Sequence, residues 1–459
     1  MAASFALIAL IPSEKFAKVE AVRKRLGVLN RSRGVTWLTS VCPSLVSLLL
    51  MVFLLVAGYW GSRDPLSNPL PLFFWTVWWI GFTYLHAVFG NLWIRLNPWS
   101  GLYRLVTSLG QFRKWWENPP VEYPSWAGYW PAVVIFLAFA WFELIYPSSA
   151  DPSVLARVVF SYLVVNFVGI FLFGERSWLQ YGEAFSVFFR VISWLSPLRV
   201  SRLSGACKDC ETECRSSQNC LNCVQCQSGP DPKGIHVTVP TLKLLSVRPL
   251  RVSGVFFVLL VLSSVSFDGM SRTFFWLGLI GVNPLEYPGR TILMIPNSAG
   301  LVGVFAALLL AYVAVLFFAK VLSGSVAGAG QPFGVLVLSI VPIAFGYHFA
   351  HYLPDFMVDI QYALRSVSDP LGLGWDIFGT RNLPIIASFL TDALKAYAVW
   401  DTQIIIIVGA HIAAVYLAHV CSLRLTPSPK MAIVSQIPMT LLMIGYTMFG
   451  LWLLSTPAV

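Results

Sequence analysis

The chain has 459 residues, of which 57% are hydrophobic and only 11% charged. Soluble domains carry about twice that share of charge, so a soluble enzyme is excluded. The formal charge of +10 does not call for nucleic acid, because Lys and Arg crowd the cytoplasmic loops of membrane proteins and set their orientation.

Apolar runs of about 20 residues recur along the chain, the length that crosses a bilayer as a helix. The fold class expected is therefore all-α, a polytopic helical bundle in the cell (inner) membrane. Residues 1–12 are apolar but short, and basic residues follow them, the reverse of a secretory signal. Residues 13–34 carry Lys15, Lys18, Arg23, Lys24, Arg25, Arg31 and Arg33 against Glu14 and Glu20. The segment 1–36 is thus read as a basic cytoplasmic N-terminus.

Nine spans are predicted, near 37–59, 70–90, 129–146, 153–173, 253–268, 298–321, 333–353, 402–422 and 434–454. The first four lie within 37–173 and the last five within 253–459, with the loop 174–252 between them. That loop carries ten basic residues against six acidic ones, so it is placed in the cytoplasm. The loop 354–401 reverses the balance, with Asp355, Asp359, Asp369, Asp376, Asp392 and Asp401 against Arg365, Arg381 and Lys395. It is expected to face out, and an odd span count puts the C-terminus outside too.

Residues 178–194 mix Trp178, Phe185, Phe188, Phe189 and Trp194 with Glu183 and Arg190. This pattern predicts an interfacial helix lying flat on the cytoplasmic face. Residues 274–295 are apolar but broken by Gly278, Gly281, Pro284, Pro288 and Gly289, which predicts a re-entrant or surface segment. Trp37, Tyr59, Trp60, Tyr129, Trp130 and Tyr146 sit at span ends as an aromatic belt would. Internal repeats are not evident.

Six cysteines, Cys207, Cys210, Cys214, Cys220, Cys223 and Cys226, fall within twenty residues of the central loop. Their neighbours are polar, so packing does not explain them. In a reducing cytoplasm structural disulfides are rare, and metal thiolate is the leading reading. The spacing of Cys220, Cys223 and Cys226 matches the first three ligands of a bacterial ferredoxin-type cluster. The fourth would fall at Pro230, so Cys207, Cys210 or Cys214 would have to supply it. Zinc held by the same thiolates is the equal alternative.

The remaining signal is the end of the seventh span. At about 100° per residue, His348, His351, Asp355 and Asp359 fall within roughly an 80° arc of one helical face. Ionisable groups near hydrocarbon are costly and mark functional sites by default. Glu143, Asp268 and, by depth, His411 could join them. His348, His351, Asp355 and His411 are the candidate catalytic residues and divalent-metal ligands, for zinc or iron. Facing histidines such as His348 and His411 could instead hold a haem. The alternative without chemistry is that the histidines bond to neighbouring helices and the aspartates sit in water. His86 and His419 could pair, although a hydrogen-bonded structural role fits both better. No Ser-His-Asp order, phosphate-cradling loop or dinucleotide fingerprint stands out.

The stretches GNLWIRLNPW (90–99), GERSWLQYGEAFSVFF (174–189), SFDGMSRTFFW (266–276), GYHFAHYL (346–353), SDPLGLGWDIFGT (368–380) and GAHIAAVYLAH (409–419) resemble a family of multi-spanning bacterial and archaeal membrane proteins. Some members are labelled fenitrothion hydrolase, an organophosphorus triester hydrolase. The resemblance runs from about Gly90 to the C-terminus and brings no agreed catalytic assignment. It implies a membrane-embedded metal-dependent hydrolase whose apolar substrate arrives from the bilayer. A redox protein with an iron–sulfur cluster passing electrons to a haem, quinone or metal is the second expectation. A proton-coupled transporter is the third, and the lack of repeats counts against it. A partner membrane subunit is compatible with each.

Overall fold

The computed structural model describes residues 2–10, 23–29, 33–108, 119–202, 233–283, 290–324 and 331–456. Among them, eight helices are long and apolar enough to cross a membrane: Val41–Trp60, Pro69–Phe89, Pro152–Gly182, Val252–Ser271, Thr291–Ser323, Pro332–Ser366, Ala393–Leu425 and Pro429–Ser455. Each coincides with a predicted span, and the chain is an all-α polytopic bundle. The predicted third span is a helix of 15 residues, Trp130–Leu144. At 1.5 Å per residue it is about 22 Å long, shorter than the hydrocarbon layer of about 30 Å.

In chain order the elements used below are α1 (Ala2–Ala9), β1 (Arg23–Leu29), α2 (Arg33–Trp60), α3 (Pro69–Phe89), α4 (Pro98–Ser108), α5 (Trp130–Leu144), α6 (Pro152–Ser177) and α7 (Ala184–Ser193). They continue with β2 (Leu198–Arg202), β3 (Lys233–Thr238), α8 (Val252–Ser271), α9 (Phe274–Leu279), α10 (Arg290–Ser323), α11 (Val341–Ser366), α12 (Ala393–Leu425) and α13 (Pro429–Ser455).

The bundle is built around α8. Its sequence has no polar face, and a helix apolar all round belongs in an interior. All but Phe256 are buried from Ser253 to Asp268. Its serines do not contradict this, because Ser263, Ser264 and Ser266 return their hydroxyls to the carbonyls of Leu260, Val261 and Leu262 at 3.0, 3.0 and 2.7 Å. Each buried hydroxyl is thereby satisfied within the helix. Helices α5, α10, α11 and α13 pack against it.

Small residues let the neighbouring helices close up. At Gly346 on α11, a Cβ would lie 2.7 Å from that of Ala410 on α12. On α13, Gly450 receives the Tyr347 ring, whose hydroxyl donates to the Tyr446 carbonyl at 2.5 Å. Helix α6 starts at Asp151, whose carboxylate accepts from the backbone N–H of Ser153 and Val154, both at 2.9 Å, with Pro152 at the first helical position. This is a side-chain cap followed by a residue that has no N–H to lose. Gly174, at φ 78°, breaks the helical run before Trp178, a conformation that favours glycine.

Three expectations change. First, the helix expected to lie on the membrane surface is α7, and all ten of its residues are buried. Phe185 meets Trp78, and Phe188 meets both Trp79 and Phe136. The charges that suggested a wet face turn inward: Glu183 caps α7, and Arg190 donates to the Gln180 carbonyl at 2.6 Å. Second, the segment 274–295 ends sooner than expected, and Pro284, Pro288 and Gly289 lie outside the described residues. Helix α9 ends at Leu279, whereas residues from Arg290 onward belong to α10. Third, α11 and α12 run past their predicted ends, so Asp355 and Asp359 are helical and not in a loop.

The sequence reading contained no strands, yet β1, β3 and β2 form a three-stranded sheet in that order. Strand β3 is antiparallel to both neighbours. Residues 203–232 are therefore the connection between two paired strands. Cys207, Cys210, Cys214, Cys220, Cys223 and Cys226 all lie in that connection, outside the described residues.

The close seat of Tyr347 gives a stability prediction. In Gly450→Ala the new methyl would overlap the Tyr347 ring, and overpacking of this kind costs about 1–3 kcal/mol. Thermal unfolding in detergent should show a lowered midpoint; an unchanged one would mean that Tyr347 moves aside freely.

Candidate functional site

Three helices bring the site together. Helix α8 carries Asp268 near its C-terminal end, α5 carries Glu143 one residue before its own, and α11 contributes His351 and Tyr352. Asp268 is 2% exposed. Its Oδ2 contacts His351 Nε2 at 2.7 Å and accepts from the Tyr352 hydroxyl at 3.1 Å. Its Oδ1 pairs with Arg272 Nη2, one turn on, at 3.0 Å. The same Tyr352 hydroxyl lies 2.9 Å from Glu143 Oε1.

Counting hydrogens constrains the protonation of this group. A phenol carries one hydrogen, yet Tyr352 sits within bonding distance of two carboxyl groups. Both contacts are full hydrogen bonds only when one carboxyl carries a proton. Asp268 faces the guanidinium of Arg272, which suits the anion. With Asp268 the anion, both contacts would be satisfied by a proton on Glu143 donated to the Tyr352 oxygen, with Tyr352 donating to Asp268. Because Asp268 accepts, His351 carries its hydrogen on Nε2 when neutral, and the lone pair falls on Nδ1. Gly269 lies beside that nitrogen, since a Cβ there would sit 3.9 Å from Nδ1. The His351 side chain is 22% exposed and that of Arg272 is 49% exposed, so the group is open at one end.

The other predicted site residues go elsewhere. His348 is buried against the ring of Trp79, with centroids 4.9 Å apart and planes nearly perpendicular, and its Nε2 has no hydrogen-bond partner among the described residues. His411 is fully buried, its Nδ1 bonded to the carbonyl of Ile407 at 2.8 Å and its ring 6.0 Å from that of Tyr347. Asp355 is exposed and Asp359 partly so. Among the described residues no three His, Cys, Asp or Glu side chains group as metal ligands. Of His348, His351, Asp355 and His411, only His351 takes part in the carboxylate network.

The expected structural roles of the other two histidines fit what is seen. His86 accepts from the backbone N–H of Trp93 at 3.1 Å, bonds to the Phe82 carbonyl at 2.7 Å and stacks on Phe189. His419 pairs with the Gln436 side chain, so the two histidines do not pair with each other. Sequence reasoning missed Tyr352 and Arg272. The spacing of Asp268 and Arg272, four apart with opposite charge, was the available signal for one of them. Tyr352 gave none, because a tyrosine near a span end reads equally well as belt.

Comparison of the chain with family models, with curated proteins and with solved structures finds no match.

The proton count can be checked directly. Infrared spectroscopy of the protein in detergent should show a carboxylic-acid C=O band that disappears in Glu143→Gln and persists in Asp268→Asn. Loss of the band only in the second variant would put the proton on the other residue.

Proposed function

We propose that this chain is a membrane-embedded hydrolase of an apolar ester in which His351 is the general base. The supporting observation is the 2.7 Å contact between His351 Nε2 and Asp268. A buried carboxylate that holds one ring nitrogen orients the other, as general-base catalysis requires. Nδ1 takes a proton from water, and the water oxygen attacks the ester centre. The bond to the leaving oxygen then breaks, and the alkoxide or phenoxide takes the proton back from Nδ1, which restores the neutral imidazole. In this reading Arg272, paired with Asp268 but half exposed, steadies the oxygen that gains negative charge.

The substrate class implied by the resemblance is an organophosphorus triester. It is uncharged and partitions into lipid, so it can approach a group at the end of a bundle from the bilayer. His351→Ala should lower turnover about 10²–10⁴-fold, the usual worth of a general base. Asp268→Asn should lower it as well and distort the pH profile, since His351 loses its orienting anion. Full triester turnover in a folded His351→Ala protein would sink the proposal.

A second reading, proton-coupled transport, is favoured by one observation: the Tyr352 hydroxyl links two buried carboxyl groups. A group that must hold one shared proton is suited to releasing it on one side of a membrane. Detergent micelles have no sides, so hydrolysis there supports the enzyme. Solute uptake by proteoliposomes only under a pH gradient, without hydrolysis, supports the transporter.

Thiolate metal binding by the six-cysteine segment is a separate proposal, resting on spacing alone. Changing Cys220 and Cys223 to Ser should strip zinc or iron from the purified protein, as read by elemental analysis, and leave the bundle inserted. Unchanged metal content would end it.

A further inference from the structure

Helix α11 carries a proline in its interior, Pro354, shortly after His351. Proline has no N–H to give, so the carbonyl one turn back, that of Ala350, loses its helical donor. Ala350 is 1% exposed, and a buried carbonyl left without a partner is costly. The partner comes from another helix. Gln403 on α12 donates its Nε2 to the Ala350 carbonyl at 2.6 Å.

Gln403 stands on the buried face of α12, with Val399 and Ile407 one turn to either side. An amide on such a face costs free energy unless it has a bond to make. The bond it makes lies next to the carboxylate network. Phe349 accepts at its carbonyl from the Tyr84 hydroxyl of α3 at 3.3 Å, and Ala350 accepts from Gln403. His351 then contacts Asp268 on α8, and Tyr352 contacts both Asp268 and Glu143. Consecutive residues of α11 are thus bonded in turn to α3, α12, α8 and α5.

We infer that Gln403 is a positioning residue for His351. By holding the carbonyl that Pro354 leaves without a donor, it fixes the turn of α11 that presents the imidazole to Asp268. The 2.7 Å contact between His351 and Asp268 tolerates little movement. A turn that rotates or opens to satisfy Ala350 in some other way takes the ring out of hydrogen-bond range. This role rests on the reading of His351 as general base, but the contact that Gln403 protects can be read without turnover.

The test follows the ring N–H proton of His351 by nuclear magnetic resonance, on the full-length chain with isotope-labelled histidine in detergent. The chain has 6 histidines, and His351→Asn identifies the resonance by its loss. Gln403→Met keeps the length of the side chain and lacks the donor. In that variant the proton should exchange with water about three- to tenfold faster, the worth of one neutral hydrogen bond. Pro354→Ala restores an N–H that can serve Ala350, so adding Gln403→Met to it should change the exchange by less than about twofold. Equal effects in the two backgrounds, or none in either, would overturn the inference, because simple helix packing does not depend on an N–H at residue 354. Where Gln403→Met alone does not fold, the double variant decides: recovery of folding supports the role, and equal failure overturns it. Ester hydrolysis by the wild type is scored separately. Its absence ends the general-base reading and leaves the exchange result standing, whereas hydrolysis with unchanged exchange in Gln403→Met keeps that reading and overturns the role of Gln403.

Discussion

A buried carboxylate near the end of an interior helix has to be matched by positive charge and by donors, because the interior does not solvate it. Asp268 meets that demand from two helices. Arg272 comes from its own, and His351 and Tyr352 come from α11. The match holds only when the two helices stand at one rotation and one height. Tyr352 extends the requirement to α5 through Glu143. A single buried charge therefore fixes three helices relative to one another and, in doing so, builds the group proposed to do chemistry.

The same rule runs through the rest of the interior. Arg104 and Glu175 form a buried ion pair at 2.7 Å. The Trp178 indole donates to the Asn166 side chain at 2.9 Å. Glu183 accepts from Tyr162, Trp93 and the first backbone N–H groups of α7. These polar groups are each answered by another from the protein, whereas His348 Nε2 and His411 Nε2 have no hydrogen-bond partner among the described residues. The aromatic rings of α3, α5 and α7 fill the space between these pairs.

The spanning segments were legible because a run of apolar residues long enough to cross hydrocarbon has few other uses. Glu143, Asp268 and His351 were legible as ionisable groups near span ends. Which of them meet was not. His348 and His351 are three residues apart, about 60° around a helix, and on a helix packed on several sides that angle reaches different neighbours. His348 turns to Trp79 on α3, whereas His351 turns to Asp268 on α8. A common helical face thus does not imply a common site. Helix α7 failed for a related reason: a charge in the sequence looks the same whether it faces water or an internal partner. The sheet was hidden because its strands are short and separated by long stretches of chain, and a strand of five to seven residues beside basic and cysteine-rich segments gives little period to read.

The pairing of β1 with β3, and of β3 with β2, carries a rule of parity. Strands joined edge to edge share one side of a bilayer, so the polypeptide between β1 and β2 must cross it an even number of times. Among the described residues between them lie three of the eight long apolar helices, α2, α3 and α6. Three is odd. The count becomes even when the 15-residue helix α5 is taken as a crossing too, with the bilayer thinning locally to meet it. On that arithmetic a helix too short to be recognised by its length is required by a sheet at the far end of the chain's path.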